Sequence, residues 1–98
     1  MPFEWNPGKD KANRAKHGLS FEEATELFTS GNDFLEIYDE EHSDDEDRFI
    51  AIGPIETGVV VVVAYTERDD DVIRIVSARR ATKKEMGLLR QYLGGTDD

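Results

Sequence analysis

Phe21, Ala24, Leu27 and Phe28 recur three and four residues apart, so they line one face of a helix. Ser20 and Glu23 in front of them match a capping box, with Ser at the N-cap and Glu three residues on. Ser30-Gly31-Asn32-Asp33 ends this helix. A helix before it starts at Asn6-Pro7, Asn as N-cap and Pro at the first helical position. It runs to about His17 and stops at Gly18, a residue able to take the left-handed conformation after a helix.

The period then shortens to two. Phe34 to Tyr38 reads as an edge strand, and Arg48 to Gly53 alternates, with Arg48, Ile50 and Ile52 opposite Phe49 and Ala51. Glu56-Thr57-Gly58 is a turn into Val59–Thr66, which is apolar on both faces and therefore predicts a central strand. Asp69-Asp70-Asp71 makes the next turn, and Val72 to Arg80 returns as a strand, apolar first and basic last. Thr82 and Glu85 repeat the capping box and open a final helix with Met86, Leu89 and Leu93 on one side, closed by Gly94-Gly95. Short turns between strands force antiparallel neighbours, because parallel pairs need long crossovers. The expectation is a single α+β domain over residues 1–98. It has a small antiparallel sheet of about four strands, two N-terminal helices and one C-terminal helix, the helices covering one face.

Composition narrows the function classes. The chain has 98 residues and no cysteine, which excludes a disulfide scaffold, thiol catalysis and cysteine-ligated zinc. Its longest apolar run, Val59 to Ala64, falls far short of the roughly 20 residues of a membrane span. The N-terminus lacks the basic and apolar stretches of a secretory signal, so the expected location is cytoplasmic, without membrane partners. The net charge of −10 argues at first against nucleic acid. Its distribution reverses that argument. Residues 21–47 carry 12 acids and no Lys or Arg, while the segments 1–20 and 75–98 each sum to +2. A polarised molecule follows, basic around a cleft and acidic on another side.

No phosphate-binding glycine loop, nucleophile elbow or zinc-protease motif is present. The loop from Asp39 to Asp47 holds seven acids in nine positions but lacks the spacing and central Gly of a calcium loop. Ionisable groups instead gather at the ends of elements. Lys16-His17 closes the first helix, where cations suit the helix dipole without any further role. Thr66-Glu67-Arg68 ends the central strand, equally a plain polar exit into a turn. Arg79, Arg80, Lys83 and Lys84 crowd the junction between the last strand and the last helix, a place suited to an anion such as phosphate. Antiparallel pairing puts Arg48 near Thr66-Glu67-Arg68 and sends Arg79-Arg80 to the opposite end. Which group is the site stays open at this level.

Several stretches together resemble the BrnT-type toxins. Phe3-Glu4-Trp5-Asn6-Pro7, Lys9, Asn13, Lys16-His17-Gly18 and Ser20 to Ala24 match the opening of that family. Glu41-His42-Ser43, Glu46 to Gly53, Tyr65 to Arg68, Ile73 to Thr82 and Glu85 continue the match. The chain departs from the pattern at Asp69, where a turn Gly is usual, and in its acidity. The resemblance implies a type II toxin–antitoxin toxin with a fold similar to the RelE ribonucleases. Such a toxin cleaves RNA without metal or cofactor and stops translation. It also implies a BrnA-type ribbon-helix-helix antitoxin, with operator DNA reached only through the antitoxin complex.

Metal-free RNA cleavage needs a base for the ribose 2′-OH, an acid for the leaving 5′-oxygen and cations for the transition-state charge. Under the resemblance, Glu67, Arg68, Arg79, His17 and Arg48 are the catalytic candidates. Lys9, Lys16, Tyr65, Arg80 and Lys83 are candidates for holding RNA, Tyr65 as a donor or a stacking surface. His42 is the other histidine and lies inside a family-like motif. A rival class is a non-catalytic toxin of similar fold acting by binding a target such as gyrase, since fold alone does not fix chemistry. A third is a non-toxic acidic domain that binds a partner.

Overall fold

The computed structural model describes residues 2–68 and 71–94. Strand β1 (Phe3–Glu4) is followed by helices α1 (Pro7–His17) and α2 (Phe21–Thr29). Strands β2 (Leu35–Tyr38), β3 (Arg48–Pro54), β4 (Val60–Arg68) and β5 (Val72–Arg80) then lead to helix α3 (Lys83–Tyr92). The sheet order is β1-β5-β4-β3-β2, so β4 is central, as its two apolar faces require. Strands β2 to β5 are antiparallel in turn. The sheet thus has five strands, one more than the periodicity showed. The addition, β1, pairs in parallel with β5 through Phe3 opposite Ile73 and Glu4 opposite Arg74. Two residues are too few to display a period of two, and their partner lies some seventy positions away.

The caps act as their residue types dictate. Asn6 Oδ1 accepts from the amides of Gly8 and Lys9, and Gly18 takes φ +66° at the end of α1. Ser20 and Thr82 each form a full capping box, with Glu23 and Glu85. Of the turn read at Asp69-Asp70-Asp71, only Asp71 lies within the described residues, with φ +62°. Gly95 lies outside them, while Gly94 takes φ +84° after α3.

The helices do not share one face. Helices α1 and α2 cover the face carrying Ala51, Val61, Val63, Tyr65, Ile73, Ile75 and Ala78, into which α2 buries Phe21, Ala24 and Leu27. Burying Phe21 and Leu27 contributes about 1.5–3 kcal/mol each. Helix α3 lies on the opposite face, where Leu89 packs with Ile52 and Val62. Only Leu89 of the expected α3 stripe is buried; Met86 and Leu93 stay exposed. A strand apolar on both faces asks for cover on both sides, which the one-face arrangement did not supply.

One polar side chain completes the sheet edge. Strand β1 reaches only Ile73 and Arg74, leaving the outer edge of β5 bare further along. There the buried Asn13 of α1 substitutes for a strand. Its Nδ2 donates to the carbonyls of Ala78 and Leu19, both at 2.8 Å, and its Oδ1 accepts from the Ala78 amide at 3.2 Å. A primary amide offers the same donor and acceptor as a peptide group, so it pairs with Ala78 as a neighbouring strand residue would. Asp10 adds a second tie, accepting from the Phe21 amide at 2.8 Å and locking α1 against the start of α2.

Candidate functional site

Strand register sorts the sequence candidates into two groups. Arg48 on β3 stands opposite Thr66 on β4, and Thr66 stands opposite Arg74 on β5. Glu67 and Arg68 extend β4 past this row and are exposed. Arg79 and Arg80 pair with Val62 and Val61 instead. Arg79 is therefore four residues along β4 from Thr66, roughly 13 Å. A bulge at Ala64/Tyr65 lets Arg74 and Arg79 share the α3 face although they are five positions apart, an odd offset.

At the Arg79 end, the anion-binding place read from the sequence is already occupied. Glu85 of α3 accepts from Arg79 Nη1 and Nη2 at 2.8 and 2.7 Å, and from the Thr82 amide at 2.9 Å. The hydrogen bonds from Arg79 are the main reason the Glu85 carboxyl falls from its ordinary 4.5 to about 2. The same pairing raises Arg79. Arg79 therefore ties β5 to α3, and Glu85, read only as a cap, is its counter-ion. Arg80, Lys83, Lys9 and Lys16 are exposed, and His17 is half-buried. Arg80 shares a shallow recess with Gly18, the residue after His17, which places these two candidates at this end.

The Glu85 carboxyl makes a pH prediction. A carboxyl lowered on folding contributes stability that is complete above its unfolded value, and this is lost as pH falls through the folded one. Unscreened, the shift equals about 3 kcal/mol; with Arg79 42% exposed, about 1 kcal/mol remains. Melting curves should show wild type more stable than Glu85→Gln at neutral pH. That difference should shrink between pH 4.5 and about 2. A gap independent of pH across that window would refute the pairing's role.

The other end is the more open. Two recesses adjoin there. One, of about 440 Å³, is lined by Glu46, Asp47, Glu67 and Arg68. The second, of about 320 Å³, shares Glu46 and lies between Arg48 and Thr66 on the sheet and Glu41, His42, Asp44 and Asp45 of the acidic loop. Ser43 pins that loop: its Oγ donates to the Asp39 carbonyl at 2.6 Å and accepts from the Arg48 amide at 2.9 Å. The His42 Nδ1 lies 2.9 Å from Asp39 Oδ2. Glu46 reaches Arg68 at 4.0 Å. The acids are thus not on a side away from the cations, as the charge distribution along the chain implied. The turn from β2 to β3 must return at Arg48, and the loop it forms folds beside the arginines.

Tyr65 differs from its expected role. It is 1% exposed, its ring stacks on Phe49 with centroids 5.7 Å apart and meets Phe28 edge-on at 5.0 Å. Neither face remains for a nucleobase, and its hydroxyl donates to Glu36. Burial and then the charge of Glu67 push the Glu36 carboxyl up. Glu36 and Thr66 are the residues at this end to which spacing alone assigned no part. Their signal is strand parity, with Glu36 opposite Ala51 on the Tyr65 face and Thr66 opposite Arg48 on the other.

Fold and side chains together define a small α+β domain with ionisable side chains gathered at both ends of its sheet. Comparison with known proteins narrows that class. Residues 5–85 match the family described as the ribonuclease toxin, BrnT, of type II toxin–antitoxin systems, and the chain belongs to this family. It is also similar to the ribonuclease toxin BrnT of Brucella abortus, known from a 1.1 Å crystal structure. The match has a TM-score of 0.66 at 25% identity, covering 85% of this chain and 99% of that one. No curated protein matches the chain. Membership in a toxin–antitoxin family implies an antitoxin partner. Among the described residues, no helix is long and apolar enough to cross a membrane.

Proposed function

We propose that this toxin cleaves RNA by acid–base chemistry without a metal ion, stops translation, and is neutralised by a BrnA-type ribbon-helix-helix antitoxin. The observation that carries the reading is the exposed Glu67–Arg68 pair at the end of β4, in a recess that shares Glu46 with the one lined by Arg48 and His42. Glu67 takes the proton from a ribose 2′-OH. The oxygen then attacks the adjacent phosphorus, and the 5′-oxygen leaves. His42 returns a proton to that oxygen; held at Nδ1 by Asp39, it exchanges protons through Nε2. Arg68 carries the charge of the phosphorane-like transition state, its guanidinium group fitting two phosphate oxygens at once. Products end in a 2′,3′-cyclic phosphate and a 5′-hydroxyl.

His17, Lys16, Arg79, Arg80 and Lys83 sit toward the other end, and Lys9 is exposed in the first turn of α1. In this reading the exposed cations among them bind the RNA strand, and Arg79 acts through Glu85 on the fold. Induction of the chain in a bacterial host should arrest growth with falling protein synthesis and broken transcripts. Co-expression of a BrnA-type antitoxin should restore growth. Arrest with intact RNA would instead favour a toxin that acts by binding its target.

A further inference from the structure

The recess between the acidic loop and the sheet carries an unusual combination of groups. Thr66 is 2% exposed, and its Oγ1 has no hydrogen-bond partner among the described residues; Arg48 Nε is likewise buried and unpartnered. Both residues line the recess, whose rim is formed by four carboxylates and His42. A buried polar atom without a partner is costly, and in a ligand site it marks a place the ligand completes. Arg48 Nε can only donate, so the ligand must bring an acceptor. The rim carboxylates can only accept, so the same ligand must bring donors. A phosphate brings acceptors alone and would meet several carboxylates. A lysine or arginine from a protein partner brings donors alone and leaves Arg48 Nε unpaired. A nucleobase brings both. Among the bases, guanine has two adjacent donors, N1–H and N2–H, that one carboxylate takes together, with O6 and N7 as acceptors on the adjoining edges.

We propose that this recess is a nucleobase subsite that takes a guanine of the substrate RNA. Arg48 and Thr66 bind its O6/N7 side, and a carboxylate of the loop binds N1–H and N2–H. The inference rests on the ribonuclease reading for its substrate, and on the two unpaired atoms for its chemistry. The recess measures about 320 Å³, at the small end of ligand pockets. It shares Glu46 with the Glu67–Arg68 recess, so the phosphate of a seated base lies on the side of Arg68. Asp44, Asp45 and Glu46 are exposed, so their side chains can turn outward to admit the base. The acidity that first argued against RNA becomes, in this recess, the reader of a base edge.

The test titrates the whole chain with guanosine, adenosine, cytidine and uridine 3′-monophosphates, and separately maps cleavage sites on a mixed-sequence RNA. Guanosine monophosphate should bind at least about tenfold tighter than the other three. Thr66→Val keeps the side-chain shape and should bring the guanosine-to-adenosine ratio close to one. So should a combined Glu41→Gln, Asp44→Asn, Asp45→Asn, Glu46→Gln variant, on exposed positions, even though its lower charge strengthens binding of every nucleotide. Equal binding of all four nucleotides, with RNA cleaved beside every base, would overturn the subsite and leave the ribonuclease standing. Guanosine-selective binding without any RNA cleavage would support the subsite and sink the ribonuclease reading. Loss of antitoxin binding in Thr66→Val, with no nucleotide selectivity in wild type, would overturn the subsite and assign the recess to the partner.

Discussion

Glu67→Gln should lower the rate of RNA cleavage by about 10²–10⁴-fold while leaving the fold unchanged, the range for removing a positioned proton acceptor. Glu67 is exposed near the end of β4, where it stands opposite Ile73 of β5, so the amide costs little stability. Arg68→Ala should cost about 10²–10³-fold, because a guanidinium aimed at developing charge acts most strongly in the transition state. The two losses should not multiply, since both groups act on one phosphodiester. Initial rates on a labelled RNA, with circular dichroism to verify folding, give the answer. Rates for both variants within threefold of wild type would remove the Glu67–Arg68 recess from the chemistry. Arg79→Ala also frees Glu85, so its loss of activity follows its loss of stability.

The second large effect is on stability. Asn13→Ala should destabilise the chain by about 3 kcal/mol, because it leaves the Ala78 amide and carbonyl and the Leu19 carbonyl without the side chain that satisfies them. For a domain of this size that lowers the melting temperature by more than about 10 °C. A fall under about 4 °C would show that water or β1 takes over the edge of β5 without cost. The change is far from Glu67, so cleavage by the folded fraction should persist at low temperature. That separates a structural role for this family-motif residue from a catalytic one.

Most of the fold was legible because its signals are local. The caps at Asn6, Ser20 and Thr82 each reside within four residues, and each formed as read. The alternation of Arg48 to Gly53 likewise set its two faces correctly, Phe49 and Ala51 toward α2 and Ile50 and Ile52 toward α3. What escaped depends on distant partners. Strand β1 exists only because β5 is there to pair with it. Tyr65 reads equally as a surface or a core residue on a strand apolar on both faces; its parity with Val61 and Val63 decides for the core.

The candidate site was legible in its parts and not in its grouping. Antiparallel reasoning put Arg48 beside Thr66 and sent Arg79 to the far end, and the register agrees. Spacing could not show that Arg79 is held by Glu85, six positions on, nor that the acidic loop returns over Arg48. The charge total was misleading for the same reason: segments that are separate in the chain meet at one end of the sheet.

One measurement bears most directly on the proposed chemistry. The purified chain is incubated with a 5′-labelled RNA in excess EDTA, and the product ends are identified. Cleavage at the undiminished rate, leaving 2′,3′-cyclic phosphate and 5′-hydroxyl ends and lost in Glu67→Gln, is the result expected. Cleavage abolished by EDTA and restored by a divalent ion, or products with 5′-phosphate ends, would contradict it.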